Sequence, residues 1–204
     1  MTLVYLVRHG ENDWTGKRLP GWRKGIHLNA SGQTQADALV EAFEGVPLAA
    51  LYSSPLERAL ETAAPLARAR HVKVIRLEGI GELRAGRWEG QPLSRLRRTK
   101  QWSVIQRAPS LARLPGGESF AEVQGRVVEA LETLCARHPK AAIACFSHAD
   151  PIKLAIAFYL GLPLDSFQRL SISPASISLL AIGSDHARLL LLNDARAAGG
   201  AKPG

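Results

Sequence analysis

The tetrapeptide Arg8-His9-Gly10-Glu11 directly follows the apolar run Leu3-Val4-Tyr5-Leu6-Val7. An imidazole can act as a nucleophile, and the guanidinium beside it is always charged and grips oxyanions through paired N–H donors. Glycine next in line permits a tight turn or a close approach of backbone to ligand. This layout suits attack on a phosphoryl group. Three further segments carry side chains able to join such chemistry: Ser53-Ser54-Pro55-Leu56-Glu57-Arg58-Ala59, Glu82-Leu83-Arg84-Ala85-Gly86-Arg87-Trp88-Glu89-Gly90 and Ser147-His148-Ala149-Asp150. Cleaving a phosphomonoester without a metal needs a nucleophile, neutralised equatorial oxygens and a proton for the leaving alkoxide. His9 meets the first need if its ring is neutral and an acceptor holds its second nitrogen. A buried glutamic acid, kept protonated near neutrality, meets the third.

These side chains can meet only if the elements between them end at a common edge. Residues 3–7 read as a buried strand. The polar stretch from Glu11 to Ser31 is a long loop of the kind that often carries function. Ser31, with Thr34 and Gln35, marks a helix start, and Ala36, Leu39, Val40 and Phe43 recur at helical spacing. Pro47–Tyr52 reads as a strand, Leu56–Arg70 as a helix kinked or interrupted at Pro65, and Val72–Leu77 as a third strand. Residues 78–117 are irregular, with one short helix across Pro92–Arg107. Phe120, Val123, Val127, Leu131 and Leu134 predict a helix from Glu118 to His138, stopped by Pro139. Lys140–Phe146 is a fourth strand, and Pro151–Leu160 a helix with an early proline. Phe167–Ile172, Ile177–Ile182 and Ala187–Leu192 read as two or three closing strands, partly antiparallel. One domain then spans residues 1–194, and residues 195–204, small and polar, read as a disordered tail.

Strands alternating with helices predict an α/β fold with a mostly parallel central sheet. Ligands in such sheets sit at the carboxyl ends of strands, near a switch in strand order. Arg8-His9, Ser53-Ser54 and Ser147-His148 all fall at predicted strand ends.

In their order and spacing, Leu6-Val7-Arg8-His9-Gly10-Glu11 and the three later segments resemble the histidine phosphatase superfamily, which includes cofactor-dependent phosphoglycerate mutases. The resemblance extends from residue 3 to about residue 193. It implies a three-layer sandwich, phosphoglycerate mutase-like, with helices on both faces of the sheet. It implies a phosphohistidine on His9, whose second nitrogen a nearby backbone carbonyl holds. It implies phosphate contacts from Arg8, Arg58 and His148, with proton donation by Glu82 and neither metal nor organic cofactor. Glu89 is the rival proton donor, its alternative being a structural hydrogen-bond partner; Glu11 reads as structural support for the loop after His9. Arg58 has the alternative of an ion pair with Glu57 or Glu61 on its own helix, and His148 that of a capping or core histidine.

Departures from the family pattern sharpen the reading. Thr15 stands where mutase-like members usually carry Asn, and its hydroxyl can still donate to phosphate. The segment after Glu82 lacks the mutases' Arg-Tyr-Gly run and reads like the phosphatase branch. Ala149-Asp150 replaces a frequent Gly-Gly, and Asp150 reads as the cap of the next helix, its alternative being a contact with the leaving group or the loop. Glu118 reads as an acid in the first turn of the long helix. Trp22 and Arg84 are candidate substrate contacts, on a rim that Trp14, Arg23, Lys24, Arg87 and Trp102 could extend. The expected activity is metal-independent hydrolysis of small phosphomonoesters. A mutase-type phosphotransferase is the runner-up, and a non-catalytic phospho-ligand binding module is the reading from another class.

Bulk properties bound these expectations. The 204 residues, 46% hydrophobic and 22% charged, suffice for one domain with a substantial core. The net charge of +8 favours anionic ligands or simply a solvated basic surface. The densest basic run, Arg95-Leu96-Arg97-Arg98-Thr99-Lys100, is short and lacks interleaved aromatics, so no nucleic-acid partner is expected. Cys135 and Cys145 lack C-x-x-C spacing and give neither a metal site nor a disulfide framework. With no signal peptide and no apolar stretch of membrane-spanning length, a cytoplasmic monomer or homodimer acting on a small phosphorylated substrate is expected.

Overall fold

The computed structural model describes residues 1–196. Strands β1 (Thr2–Arg8), β2 (Leu48–Ser53), β3 (Val74–Arg76), β4 (Ala142–Ser147), β5 (Ile177–Ile182) and β6 (Ala187–Asp194) form one sheet in the order β3-β2-β4-β1-β5-β6. The first four run parallel, and β5 lies antiparallel between β1 and β6. Of the tail expected over residues 195–204, all from 197 on lies outside the described residues.

Among the described residues there are six α-helices: α1 (Ala30–Ala42), α2 (Glu57–Arg70), α3 (Leu93–Leu96), α4 (Lys100–Arg107), α5 (Phe120–Arg137) and α6 (Ala149–Tyr159). Central β4 is buried along its whole length, as a strand covered on both faces must be. Its side chains alternate between two cores. Ile143 and Cys145 join Val123, Val127 and Leu131 of α5 and Ile152 and Ala155 of α6. Ala144 and Phe146 join Leu39 of α1 and Ala63 and Leu66 of α2. The expected three-layer sandwich is therefore present, each sheet face closed by a helix pair.

Helix ends follow local chemistry. α5 starts in a capping box: the Ser119 hydroxyl accepts from the Glu122 amide while Glu122 accepts from the Ser119 amide. The predicted start of α1 at Ser31 moves to Asn29, whose side chain accepts from the Gly32 amide at 2.9 Å. Pro65 sits inside a continuous α2 instead of interrupting it. The single helix expected across 92–107 is two. Thr99, extended, caps α4 through its hydroxyl and so separates it from α3. The third strand shrinks to Val74–Arg76, because His71 turns into the left-handed region and the Val72 amide still serves the α2 end. Phe167–Ile172 forms no strand. Residues Leu164–Arg169 make a 3-10 turn that buries Phe167 against Phe120, ring centroids 5.0 Å apart, and the following loop turns back to the end of β1.

The strand order places the switch. α1 leaves β1 on one face and α6 leaves neighbouring β4 on the other, opening a crevice between their carboxyl ends. Backbone bonds lace these ends together: His9 amide to Ser147 carbonyl, 2.9 Å, Ser54 amide to Phe146 carbonyl, 2.9 Å, and Leu77 amide to Ser53 carbonyl, 2.8 Å.

Candidate active site

His9 leaves β1 directly into the crevice and is 4% exposed. Its Nδ1 lies 2.7 Å from the Gly10 carbonyl oxygen. A carbonyl can only accept, so Nδ1 carries the proton and Nε2 presents its lone pair. Burial, with the positive charges of Arg58 and Arg8 nearby, holds the His9 pKa well below its ordinary value. The ring is therefore neutral and nucleophilic at pH 7. The chain after His9 packs closely at Gly10: its amide donates to Thr62 Oγ1 at 2.9 Å, and a Cβ here would lie 2.7 Å from the Gly32 carbonyl oxygen.

Arg58, on the first turn of α2, is fully buried. One of its terminal nitrogens, Nη2, donates to the Gly21 carbonyl at 3.0 Å, whereas Nε and Nη1 have no partner among the described residues. It does not pair with the acids on its own helix. Glu57 and Glu61 instead accept from the Gly25 and Leu28 amides, tying the long loop to α2. Arg8 donates from Nη1 to the Ile172 carbonyl at 2.5 Å, and its buried Nε also has no partner among the described residues.

His148 follows β4, is fully buried, and its ring centroid lies 5.2 Å from that of His9. Its Nε2 is 2.8 Å from Ser54 Oγ. Ser54 Oγ already accepts from the Leu56 amide, so its hydroxyl proton is free to serve His148 Nε2. That leaves the proton on Nδ1, which is buried, has no hydrogen-bond partner among the described residues and lies 3.7 Å from Glu82 Oε2. Burial and the charges of Arg58, His9 and Arg8 press the His148 pKa well below its usual value, so it is a neutral donor.

Glu82 completes the group. Burial, reinforced by the negative charge of Asp150 and opposed by Arg58, the Leu83 amide and Arg8, raises its pKa to about 7. The Leu83 amide donates to Oε1 at 3.0 Å, so a bound proton resides on Oε2, the oxygen nearest His148. The fold thus brings Arg8, His9, Arg58, Glu82 and His148 together from four separate segments. Among the described residues, four buried donor nitrogens lack a partner in this group, one on Arg8, two on Arg58 and one on His148; the charges of both arginines reach His9, and the His148 ring lies beside it. Unmet donors of this kind are costly when buried and call for an anion. No cluster of three or more His, Cys, Asp or Glu suited to hold a metal occurs among the described residues.

The remaining candidates fall outside this group. Thr15 Oγ1 accepts from the Asn12 amide at 3.2 Å, closing a turn in the long loop. The Trp22 indole N–H donates to the Glu82 carbonyl, and the Arg84 guanidinium stacks 3.7 Å above the Trp22 ring while its side chain pairs loosely with Glu78. Glu89 accepts from the Ala85 amide at 3.1 Å, the structural role allowed for it. Trp102 stacks on Trp88 and packs against the core. Asp150 does not cap α6, whose N-cap is His148; it lies in the first turn, 3.6 Å from Lys153. Glu118 likewise lies before the Ser119 cap, not inside α5, and pairs with Arg126. Sequence reasoning missed three supports: Ser54, the carbonyl of Gly21 and the carbonyl of Ile172. Ser54 stood within a quoted motif, but the carbonyls depend only on where loops come to rest.

A model of the histidine phosphatase superfamily (branch 1) matches residues 4–195. Phosphoserine phosphatase 1 of Hydrogenobacter thermophilus is 29% identical over 198 residues, covering 95% of this chain and 92% of that protein. Probable phosphoglycerate mutase GpmB of Proteus mirabilis is 32% identical over 181 residues, 87% of this chain and 84% of the other. Among solved structures, Bacillus stearothermophilus YhfR superposes with a TM-score of 0.90 at 28% identity, covering 97% of this chain and 100% of its own. A phosphoserine phosphatase mutant from Entamoeba histolytica in complex with phosphoserine superposes with a TM-score of 0.87 at 26% identity, covering 97% and 99%.

Proposed function

The chain belongs to the histidine phosphatase superfamily, and from that footing we propose that it hydrolyses small phosphomonoesters through a phosphohistidine on His9. His9 Nε2 attacks phosphorus, and the phosphorus–oxygen ester bond breaks. The leaving alkoxide takes the proton from Glu82 Oε2. Arg8, Arg58 and His148 Nδ1 hold the equatorial oxygens, whose negative charge their unmet donors match. A water then gives a proton to the Glu82 carboxylate and attacks phosphorus, the phosphorus–nitrogen bond breaks, and phosphate leaves. His9 and protonated Glu82 are restored.

The observation that carries this reading is the convergence of four unmet buried donors around a neutral imidazole whose free nitrogen is Nε2. A pKa near 7 suits one carboxyl to act first as acid and then as base. The phosphatase names among the relatives favour water as the acceptor. The mutase name of the Proteus relative favours a second reading, in which the same intermediate returns its phosphoryl group to substrate. We take the substrate to be a small phosphorylated molecule and not a nucleic acid, met in the cytoplasm by a monomer or homodimer. Among the described residues no helix is long and apolar enough to cross a membrane.

The test is turnover of p-nitrophenyl phosphate in EDTA by wild type and His9→Ala. Hydrolysis by the first and none by the second supports the proposal, whereas equal turnover rejects it. Phosphorus NMR with 3-phosphoglycerate separates the two readings: free phosphate marks the hydrolase, and isomerisation without phosphate release marks the mutase.

A further inference from the structure

Glu82 lies on a stretch without helix or strand, residues 81–85. A proton donor must nevertheless meet the leaving oxygen at hydrogen-bond distance. One side chain makes most of the bonds that hold the stretch from behind. Arg126, on α5, donates from Nη1 to the carbonyls of Gly79 at 3.0 Å and Gly81 at 2.9 Å, and from Nη2 to the carbonyl of Glu82 at 2.8 Å. Its remaining donors reach Glu118: Nε to Oε1 at 2.8 Å and Nη2 to Oε2 at 3.0 Å. A guanidinium has five N–H groups, and these five bonds engage all of them. Glu118 closes the other flank, accepting from the Arg84 amide at 2.8 Å while its own amide donates to the Arg84 carbonyl at 2.9 Å.

We propose that Arg126, braced by Glu118, is a positioning residue that fixes the backbone of Glu82 and thereby aims its carboxyl oxygen Oε2 at the leaving group. The inference rests on the reading of Glu82 as proton donor. The pair is mostly shielded, with side chains 21% and 16% exposed, unlike a solvated surface bridge. Its bonds fall on the carbonyls of residues 79, 81 and 82 and the amide of 84, so they bracket Glu82. The Trp22 indole supplies the second donor to the Glu82 carbonyl and its ring abuts Gly81, where a Cβ would overlap it. Trp22, a candidate substrate contact by sequence, thus shares the positioning task. The last link is local: the Leu83 amide fixes Oε1 and leaves Oε2 facing His148.

A misaimed acid and a merely loosened fold differ in what they do to substrates of unequal leaving group. The probes are p-nitrophenyl phosphate and phenyl phosphate, similar in size, the second leaving as a more basic oxygen that needs the proton more. Activity is read as kcat/KM, which reports formation of the intermediate. Glu82→Gln sets the reference, with a loss on phenyl phosphate of about 100-fold or more and a much smaller one on p-nitrophenyl phosphate. For Arg126→Met we expect the same asymmetry, roughly tenfold against less than about threefold. Arg126→Lys keeps the charge but cannot fill a five-donor fork, and falls between. Equal losses on both substrates, or none, while Glu82→Gln discriminates, overturn the inference and leave the role of Glu82 standing. A Glu82→Gln variant that does not discriminate removes both. Should Arg126→Met fail to fold by circular dichroism, Glu118→Gln is judged by the same criterion.

Discussion

Replacing Glu82 by glutamine should stabilise the protein at alkaline pH, because the native site holds this carboxyl at an energetic disadvantage when it is ionised. Its pKa rises from 4.5 to about 7 on folding, chiefly through burial and secondarily through Asp150. The folded state therefore binds the proton more tightly than the unfolded chain does. Below about pH 4.5 both states are protonated and the group contributes nothing to the difference. Between pH 4.5 and 7 the unfolded chain ionises first, and native stability declines. Above about pH 7 the full cost is present, and a shift of this size corresponds to roughly 3 kcal/mol. Glutamine has no proton to lose. Urea denaturation of wild type and Glu82→Gln, repeated from pH 4.5 to 8.5, should give a stability difference that grows in favour of the variant by about 3 kcal/mol, most of it below pH 7.5. A pH-independent offset between the two would cancel in this comparison. Parallel stability curves across the range would refute the reasoning, since they would mean that Glu82 titrates alike in both states.

On the proposed mechanism the same proton governs rate. With phenyl phosphate, kcat/KM should fall about tenfold per pH unit above pH 7 as Glu82 ionises, and Glu82→Gln should lack that fall; a wild-type profile flat to pH 9 would contradict it. Because His9 stays neutral well below its ordinary pKa, no loss from its protonation is expected at pH 6, which the acidic limb of the same profile checks. Ser54→Ala removes the hydroxyl that fixes the His148 tautomer and should lower kcat/KM about 5- to 30-fold, the worth of one or two kcal/mol; a change below twofold would deny Ser54 that role. Gly10→Ala should cost about 1–3 kcal/mol in thermal unfolding, since its Cβ would press on the Gly32 carbonyl at the α1 start.

Much of this site was legible because its parts lie where sequence patterns are strongest. Arg8-His9 and Ser147-His148 end continuous apolar runs, and a buried parallel strand leaves few ways to place its last residue. Arg58 and Glu82 were legible as motif members, and the structure adds why they fit: one is a fully buried cation with unmet donors, the other a desolvated acid. What stayed hidden depends on loop contacts at long sequence separation. Arg126 occupies an unremarkable position on an amphipathic helix, and nothing local links it to carbonyls 44 to 47 residues away. Phe167–Ile172 alternates like a strand, yet β5 already fills the only edge of β1 left by β4, so the segment folds over instead and lends its Ile172 carbonyl to Arg8. Asp150 looked like a cap because it opens a helix, but His148 holds that position, leaving the Asp150 charge to raise the pKa of Glu82.

The decisive measurement is rapid acid-free quench of the enzyme during turnover of a radiolabelled phosphomonoester, followed by peptide mapping. A base-stable, acid-labile label on the peptide containing His9, absent from His9→Ala, is the predicted result. Steady hydrolysis with no such label, or with the label on another residue, would contradict a covalent path through this imidazole.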